Sequence, residues 1–307
     1  MLIFRLAGIA GLEPTKRESK SRVLPLHHIP LFQPLQSISQ IPVAVKSRPG
    51  TLTNFCTQSK IQENRIFGGR MEQRPTIYQT VGIIAAMQME IDGIRKKLQN
   101  ASMETVSGVE YVCGTLHGKT VIAAKCGIGK VFAAMCAQTM ILRYAPDCII
   151  HTGVAGGLTD TLRILDLVIA THVVQYDMDT SAVGDPVGMI SGINIVEIPC
   201  DRRIIDVLCS SAEQLQRPFA KGIVATGDTF VCTKEQRSRI REQFHADACE
   251  MEGGAVGQVC YVNQVPFGIL RSISDSAGET SGMDYAAFSA AAADTAVAAV
   301  EYALQVL

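Results

Sequence analysis

The segment "ACEMEGGAVGQVC", residues 248–260, places two glutamates around a methionine and two glycines directly after them. An apolar run ends here, and the residues that follow are typical of a helix. Carboxylates in such a position form either an ion-pair rim or an acceptor for a ligand rich in hydroxyl groups, because one carboxylate accepts several hydrogen bonds. The choice between these interpretations depends on what else reaches the same place.

Five other positions carry groups that could share a site with this segment. In an open α/β sheet, ligands bind beyond the carboxyl ends of the strands, and each of these positions follows an apolar run typical of a buried strand. Convergence there would bring together three carboxylates, one aromatic ring, one arginine and two glycine turns. The five are Glu90, "CGIGK" (126–130), "TGVAGG" (152–157), "GDTFV" (227–231) and "RSISDSAG" (271–278).

Taken singly, each of these residues also has a purely structural interpretation. Asp275 could cap a helix, and Glu90 could be a solvated carboxylate in a first helical turn. Phe230, Met87 and Met251 are of types that commonly pack in a core. Their joint placement at successive strand ends is the observation that favours a functional site.

The elements that must position these groups alternate between strand and helix along the chain. Apolar runs such as "TVGIIAA" and "PDCIIHTGVAGG" predict buried strands, and segments such as "KEQRSRIREQF" and "DRRIIDVLCSSAEQLQ" predict helices between them. This alternation predicts an α/β protein, a single domain with a central mixed and mostly parallel sheet flanked by helices. About 237 residues are enough for one hydrophobic core.

The composition bounds the class of protein. The chain has 307 residues, of which 47% are hydrophobic and 19% charged, and its formal net charge is −1. Its apolar runs are shorter than the roughly 18 residues of a membrane helix, so we expect no membrane partner. Ten cysteines lie scattered without a CxxC pair, which is typical of reduced thiols in the cytoplasm and does not favour a structural metal site. A Walker-type phosphate motif is also missing from the sequence.

The first seventy residues differ from the rest. Residues 1–70 hold ten basic and three acidic side chains and are rich in Pro, Ser and Gln, without regular hydrophobic periodicity. They are expected to be a disordered extension, a targeting segment, or an artefact of annotation with translation starting at Met71. A nucleic-acid-binding arm is not favoured, because aromatic residues are not interleaved with the basic ones. The catalytic domain is therefore expected to span residues 71–307.

Six motifs in order carry a family resemblance over residues 78–307. The chain resembles the bacterial 5′-methylthioadenosine/S-adenosylhomocysteine nucleosidases of the nucleoside phosphorylase/hydrolase superfamily. The resemblance implies hydrolysis of the N-glycosidic bond of these nucleosides, or of 5′-deoxyadenosine, in methionine salvage and nucleoside catabolism, without a cofactor. The motifs are "VGIIAAMQME", "CGIGKVFAA", "TGVAGG", "ATGDTFV", "CEMEGGAV" and "RSISDSAG".

The resemblance also implies roles for the three carboxylates. Asp275 matches the general acid that gives a proton to adenine N7, which requires a carboxyl with a raised pKa. Glu90 matches the residue that positions and deprotonates water, and its charge favours an oxocarbenium-like state. Glu252 matches the acceptor of hydrogen bonds from the ribose 2′- and 3′-hydroxyls. This role favours the ligand site over the ion-pair rim for "EME".

Further contacts implied by the resemblance surround the nucleoside. Phe230 would stack on adenine, a contact worth about 1–3 kcal/mol, and the backbone of Val231 would read its edge. Met251 would lie against the sugar, and Arg271 and Ser274 would support Glu252 and Asp275. The apolar part of the substrate site would comprise Met87, Ile128 and Tyr285, with Val154 and Ala155 in the glycine loop.

Two positions bear on the choice between hydrolase and phosphorylase. His151 and Val154 stand where phosphorylases of the superfamily have an arginine and a Ser or Thr, and a neutral imidazole holds a phosphate dianion poorly. Water is therefore the expected nucleophile. Val154 and Cys126 also replace serines common in the nucleosidases. The alternatives are a purine nucleoside phosphorylase, a hydrolase of another adenine or futalosine-type nucleoside, and a catalytically silent binding protein.

A homodimer is implied as well. Residues 175–192 correspond to the loop that, in the family, reaches the 5′ pocket of the neighbouring subunit. Val183 stands where that loop commonly has an aromatic residue. The replacement predicts a smaller or looser pocket for the 5′-thioalkyl group.

Overall fold

The structure is a computed structural model that describes residues 78–278 and 280–307. The expectations for residues 1–70 lie outside these described residues. Ten strands and six helices are present in the described part, with one turn of 3₁₀ helix at Ser181–Val183. The described helices include none that is both long and apolar enough to cross a membrane.

Strands and helices alternate along much of the chain, with runs of three strands over residues 99–125 and 148–199. The strands are β1 (Thr80–Ala85), β2 (Gln99–Val106), β3 (Val109–Leu116), β4 (Lys119–Lys125), β5 (Cys148–Gly157), β6 (Leu167–Gln175), β7 (Ile198–Pro199), β8 (Phe219–Thr226), β9 (Ala248–Glu250) and β10 (Phe267–Asp275). The helices are α1 (Gln88–Arg95), α2 (Lys130–Tyr144), α3 (Arg202–Gln214), α4 (Lys234–Phe244), α5 (Gly253–Val262) and α6 (Ser281–Val306).

All ten strands belong to one mixed sheet. Its order is β10-β6-β8-β9-β5-β1-β4-β3-β2, with β7 added to β6. Strands β4, β1, β5 and β10 run parallel to one another, as do β6, β8 and β9. Because β10 also pairs with β5, the strands β10, β6, β8, β9 and β5 close into a ring.

Helices cover both faces of this sheet. Buried side chains of α1, α3 and α6 pack on one face with strand residues such as Ile83 and Ile150. Helices α2 and α5 pack on the other face with residues such as Ile84 and Ile149. The alternate orientation of neighbouring strand residues explains why a continuous apolar run is needed: both faces are buried. The predicted α/β class with a helix-flanked sheet is confirmed.

Two helices have bounds that differ from what the sequence pattern suggests. The helical spacing of Ile91, Ile94 and Leu98 suggests a helix that continues further, but α1 ends at Arg95 and β2 begins at Gln99. Most residues of β2 are exposed, so the strand lacks the apolar alternation that would reveal it and depends on antiparallel pairing with β3. The terminal helix begins at Ser281, five residues before its Ala-rich run.

Candidate active site

Glu90 lies in the first turn of α1, directly beyond the carboxyl end of β1. Its Oε2 accepts a hydrogen bond from the backbone N–H of Met87 at 2.8 Å, and its Oε1 accepts one from Val154 N–H at 3.0 Å. The side chain is buried, and burial raises the pKa of Glu90 while the Arg271 charge opposes the rise. A backbone-held, buried carboxyl is suited to exchange a proton at a higher pH than an exposed glutamate.

Glu252 lies at the start of α5, just after β9. Its Oε1 accepts a hydrogen bond from the backbone N–H of Gly129 at 2.7 Å. Gly129 precedes α2 and has φ of 100°, a left-handed conformation that favours glycine. Burial, followed by the neighbouring charge of Glu250, raises the pKa of Glu252 to about 8. One carboxylate oxygen is therefore fixed by the α2 N-terminus, and Oε2 remains to meet a ligand.

Glu250, the other glutamate of the motif, has a different environment. Its carboxylate forms a buried ion pair with Arg271, accepts from the Thr226 hydroxyl, and accepts from the backbone N–H groups of Glu252 and Gly253. These partners occupy both oxygens. Glu250 therefore anchors the first turn of α5, on which Glu252 stands.

Arg271 was expected to support Glu252, and the structure corrects this expectation. Its guanidinium forms its ion pair with Glu250 and influences Glu252 only as a nearby charge. The reason is geometric, because β9 and β10 both pair with β5, and this brings Arg271 of β10 to the last residue of β9. The Ser274 hydroxyl lies 2.9 Å from Asp275 Oδ2.

Asp275 ends β10 and is buried. Its Oδ1 accepts a hydrogen bond from Ala277 N–H at 2.9 Å, and the Ser274 hydroxyl donates to Oδ2. The segment expected as a glycine loop is the end of β5, and a β-carbon at Gly156 would lie 2.9 Å from Asp275 Oδ1, so this close approach requires glycine. Burial raises the pKa of Asp275, against the opposing effect of these hydrogen bonds. The group can therefore hold a proton at a higher pH than an exposed aspartate.

The environment of Tyr285 indicates that the carboxylates of Glu90, Glu252 and Asp275 lie near one another. Burial raises the pKa of its hydroxyl, and the charges of Glu90, Asp275 and Glu252 raise it further. The hydroxyl lies 3.0 Å from the sulfur of Met87. The Tyr285 ring meets the Phe230 ring edge to face, with 5.7 Å between centroids. The structure thus brings carboxylates from β1–α1, β9–α5 and β10 around one tyrosine.

The other predicted contact residues differ in how far their side chains are exposed to solvent. Ile128 and Phe230 are exposed, Met87, Val154 and Met251 are half-buried, and Val231 and Ala155 are buried. Val154 contributes its backbone N–H to Glu90, and Ala155 contributes a carbonyl 3.4 Å from the Ser274 hydroxyl. An exposed apolar pair beside buried carboxylates is suited to a ligand with a flat apolar part and a hydroxylated part.

The donor atoms of His151, Glu250 and Glu252 lie within 4.8 Å of one another, a spacing that could suit a metal ion. The Arg271 guanidinium lies among them, with Nη2 2.9 Å from His151 Nε2 and in contact with Glu250 Oε2. A cation of the protein therefore already balances this cluster, and a divalent ion would have to displace it. Burial and the Arg271 charge hold the pKa of His151 well below its usual value.

Comparison with known proteins defines the class to which this arrangement belongs. The family model of the phosphorylase superfamily matches residues 80–305, and the chain belongs to this superfamily. Curated relatives carry the name 5′-methylthioadenosine/S-adenosylhomocysteine nucleosidase. The protein from Shewanella putrefaciens is 38% identical over 207 residues, 67% of this chain and 89% of the relative. That from Shewanella sediminis is 39% identical over 207 residues, 67% and 90% of the two chains.

Solved structures agree with these relatives. The Neisseria meningitidis 5′-methylthioadenosine/S-adenosylhomocysteine nucleosidase in complex with methylthio-immucillin-A has a TM-score of 0.73 and 32% identity, covering 75% of this chain and 100% of that one. A futalosine hydrolase of Helicobacter pylori has a TM-score of 0.72 and 33% identity, covering 75% and 99%. The predicted resemblance to the nucleosidases is confirmed.

Sequence reasoning assigned no role to three residues that build the site. Gly129 holds Glu252, Thr226 contacts Glu250, and Glu250 itself links β9 to Arg271. The two glutamates of "EME" were visible in the sequence, and their spacing of two placed them on the same side of an extended segment. The sequence contained no signal for which of the two would be neutralised by an arginine.

Proposed function

We propose that this protein hydrolyses the N-glycosidic bond of 5′-methylthioadenosine and S-adenosylhomocysteine. The products are adenine and the ribose that carries the thio substituent. The observation that carries this proposal is the meeting of three buried carboxylates from three strand ends around Tyr285, next to the exposed ring of Phe230. The named nucleosidase relatives and the structure of one with methylthio-immucillin-A support the substrate class.

Asp275 and Glu90 divide the proton transfers in the proposed reaction. The C1′–N9 electron pair leaves with adenine while the Asp275 carboxyl, whose pKa burial raises, gives its proton to N7. The oxygen of a water molecule bonds to C1′, and Glu90 takes the proton that this water loses. Backbone N–H groups of Met87 and Val154 hold both Glu90 oxygens and so fix the direction in which it accepts.

Glu252 and the aromatic rim bind the two parts of the nucleoside. Glu252 Oε2 would accept from the ribose hydroxyls, because Oε1 is occupied by Gly129 N–H. Phe230 would stack on adenine next to the backbone of Val231, and Met251 would face the sugar. The thioether substituent would contact Met87, Ile128 and Tyr285.

Water is favoured over phosphate as the nucleophile. His151 is buried and both its ring nitrogens have partners, so its side chain does not reach a bound anion. The Arg271 charge is engaged by Glu250. At these two positions a phosphate dianion therefore finds no free guanidinium group to hold it in bidentate fashion.

A futalosine-type nucleoside is the second candidate substrate. The observation that favours it is the similarity to the Helicobacter pylori futalosine hydrolase, which is comparable to the similarity to the nucleosidase structures. Such a substrate would use the same acid and diol residues and differ at the 5′ substituent. 5′-Deoxyadenosine would test the other extreme, a substrate without a thioether.

One assay separates these functions. Base release from methylthioadenosine, adenosylhomocysteine, 5′-deoxyadenosine and a futalosine-type nucleoside is measured with and without phosphate, in wild type and Asp275→Asn. We expect phosphate-independent adenine release that Asp275→Asn abolishes. Asp294→Asn, which changes an exposed aspartate of α6, is the control. Phosphate-dependent formation of ribose 1-phosphate would identify a phosphorylase instead.

We further infer a homodimer formed through α2 and α5. On α2, Val131 and Leu142 are 70% and 76% exposed, and helical spacing places both on one face with Met135. Val262 of α5 is exposed beside them, and α2 packs against α5. Contiguous exposed apolar residues of this kind mark protein interfaces. Val183, on the loop that the resemblance assigns to the neighbouring 5′ pocket, is exposed as well.

Sedimentation of a surface variant tests the dimer. Leu142→Asp is expected to give monomers, whereas Val306→Asp is the matched control because Val306 is an exposed apolar residue at the end of α6, which packs on the opposite face of the sheet from α2. A monomeric wild type would contradict the inference. A kcat/KM ratio that strongly favours methylthioadenosine over adenosylhomocysteine would count against a looser 5′ pocket.

Two further assignments complete the proposal. The catalytic unit is taken as residues 71–307, which contain the family match over 80–305. A cytoplasmic location, and with it a role in methionine salvage and nucleoside catabolism, is supported by the nine cysteines of the described residues, which are all free thiols.

A further inference from the structure

His151 has an unusual position for a residue with no assigned role in the reaction. It belongs to β5, directly before the segment "TGVAGG" of the same strand, and is buried. Its Nδ1 lies 3.0 Å from the carbonyl oxygen of Ile84 in β1, and its Nε2 lies 2.9 Å from Nη2 of Arg271 in β10. The imidazole therefore connects β1, the strand that leads into the helix with Glu90, to β10, the strand that ends in Asp275.

The partners of His151 define its tautomer. A carbonyl oxygen only accepts hydrogen bonds, so the Nδ1 that faces Ile84 must carry a hydrogen. A guanidinium nitrogen only donates, so the Nε2 that faces Arg271 must be an unprotonated acceptor. Both contacts thus require the neutral Nδ1–H imidazole. An imidazolium would place an N–H group against the positive charge of Arg271.

Few other contacts orient the Arg271 guanidinium. Nη2 contacts Glu250 and His151, Nη1 lies 3.5 Å from the backbone oxygen of Leu270, and Nε has no hydrogen-bond partner among the described residues. Loss of the His151 contact would leave the ion pair with Glu250 as the main restraint. A single ion pair allows the planar group to rotate about its axis.

The orientation of Arg271 matters because its Nη1 faces Glu90, the general base of the proposed hydrolysis. A β-carbon at Gly153 would lie 2.6 Å from Glu90 Oε1 and 3.1 Å from Arg271 Nη1, so both groups meet at this glycine. The Arg271 charge favours the ionised form of Glu90, the form that can accept a proton from water. A rotated guanidinium would weaken this effect.

We propose that His151 is a positioning residue for the hydrolysis, a neutral acceptor that holds the Arg271 guanidinium between Glu250 and Glu90. The proposal rests on the proposed function for the reaction that Glu90 serves. His151 acts through Arg271 and touches neither substrate nor water. It adds no charge to the cluster, in which one guanidinium already faces Glu250, Glu252 and Glu90.

Two conservative variants separate the two hydrogen bonds of His151. In His151→Asn the amide nitrogen takes the place of Nδ1 and keeps the bond to Ile84, but the acceptor for Arg271 is lost. In His151→Gln the amide oxygen reaches the place of Nε2 and keeps the bond to Arg271. We expect His151→Asn to lower kcat by about 10- to 100-fold with KM within about threefold of wild type, and His151→Gln to retain most of kcat.

The kinetic outcomes distinguish this proposal from the proposed function. A wild type that releases no adenine contradicts the function, whereas an active wild type with equal kcat in both variants overturns the role of His151. A rise in KM at unchanged kcat also overturns it. A purely structural role would lower the thermal stability of both variants without this difference in kcat.

The tautomer can be measured without any variant. Nitrogen chemical shifts of ¹⁵N-labelled histidine in the full chain report which ring nitrogen is protonated. One of the six histidines should remain in the neutral Nδ1–H form from pH 6 to pH 8, and sequential resonance assignment of the wild type should identify this signal as that of His151. An Nε2–H form or a charged His151 in that range would overturn the proposal, even if neither variant folds.

Discussion

The two ends of the proposed ligand site are built in opposite ways. At the carboxylate end, Glu90, Glu252 and Asp275 are 3%, 6% and 3% exposed, and backbone N–H groups hold each of them. At the apolar end, Ile128 and Phe230 are 55% and 43% exposed. The first end is formed completely by one chain. The second leaves apolar surface for a ligand or a second subunit to cover.

This difference separates chemistry from recognition in the molecule. Buried groups with fixed hydrogen bonds have shifted pKa values and little freedom, which suits proton transfer. Exposed apolar groups gain their free energy only when a ligand removes them from water, which suits binding. Changes at the carboxylate end should therefore alter kcat and stability, and changes at the apolar end should alter KM.

The largest expected effect is that of Glu90→Gln. An amide cannot take a proton from water, so kcat should fall by about 10²- to 10⁴-fold while KM changes little. Steady-state kinetics with methylthioadenosine measures both constants. Glu104→Gln is the control, because Glu104 is an exposed carboxylate on β2 paired with Arg143. A Glu90→Gln variant that retains the wild-type kcat would contradict a role for the carboxylate end in proton transfer.

The next effect separates the two glutamates within "EME". Glu250→Gln leaves the buried Arg271 charge without its partner and should lower the free energy of unfolding by about 3–5 kcal/mol. Glu252→Gln removes a carboxyl that burial already disfavours as an anion, so the unliganded protein should be as stable as wild type or more so. Denaturant unfolding of both variants measures the difference. Equal losses would contradict separate roles for the two residues.

The pH dependence of stability sharpens the same comparison. The folded-state pKa of Glu252 is about 8, above its unfolded value, so its contribution to stability is complete below the unfolded pKa and is lost as pH rises through 8. Thermal unfolding midpoints of wild type should decrease between pH 6.5 and pH 8, by about 2–4 °C per kcal/mol. In Glu252→Gln the decrease should be smaller. The buried thiols shift both proteins alike and cancel in the difference.

The sequence predicted the carboxylate end better than its internal connections. Continuous apolar runs revealed the strands buried on both faces, and their ends located Glu90 and Asp275 without any structure. The bounds of α4 agree with the predicted helix because both ends have local signals. Thr233 caps its N-terminus, and His245 ends it in a left-handed conformation. Local signals of this kind depend only on neighbouring residues.

Contacts that depend on the closure of the strands β10, β6, β8, β9 and β5 into a ring could not be predicted from the sequence. Arg271 and Glu250 come from strands that are not hydrogen-bonded to each other, and they meet only because both strands flank β5. The bond between Gly129 and Glu252 joins residues 123 positions apart. The polar strand β2 escaped notice for a related reason, because pairing with β3 rather than its own pattern forms it.

The smallest effect is expected at the apolar end. Phe230→Leu keeps an apolar side chain but removes the ring, so binding should weaken by about 1–3 kcal/mol, seen as a higher KM at nearly unchanged kcat. Tyr285→Phe is the matched variant, because it keeps the ring that meets Phe230 edge to face and loses only the hydroxyl near Met87. A large fall in kcat in Phe230→Leu would mean that the exposed ring takes part in the chemistry, and the division between the two ends would fail.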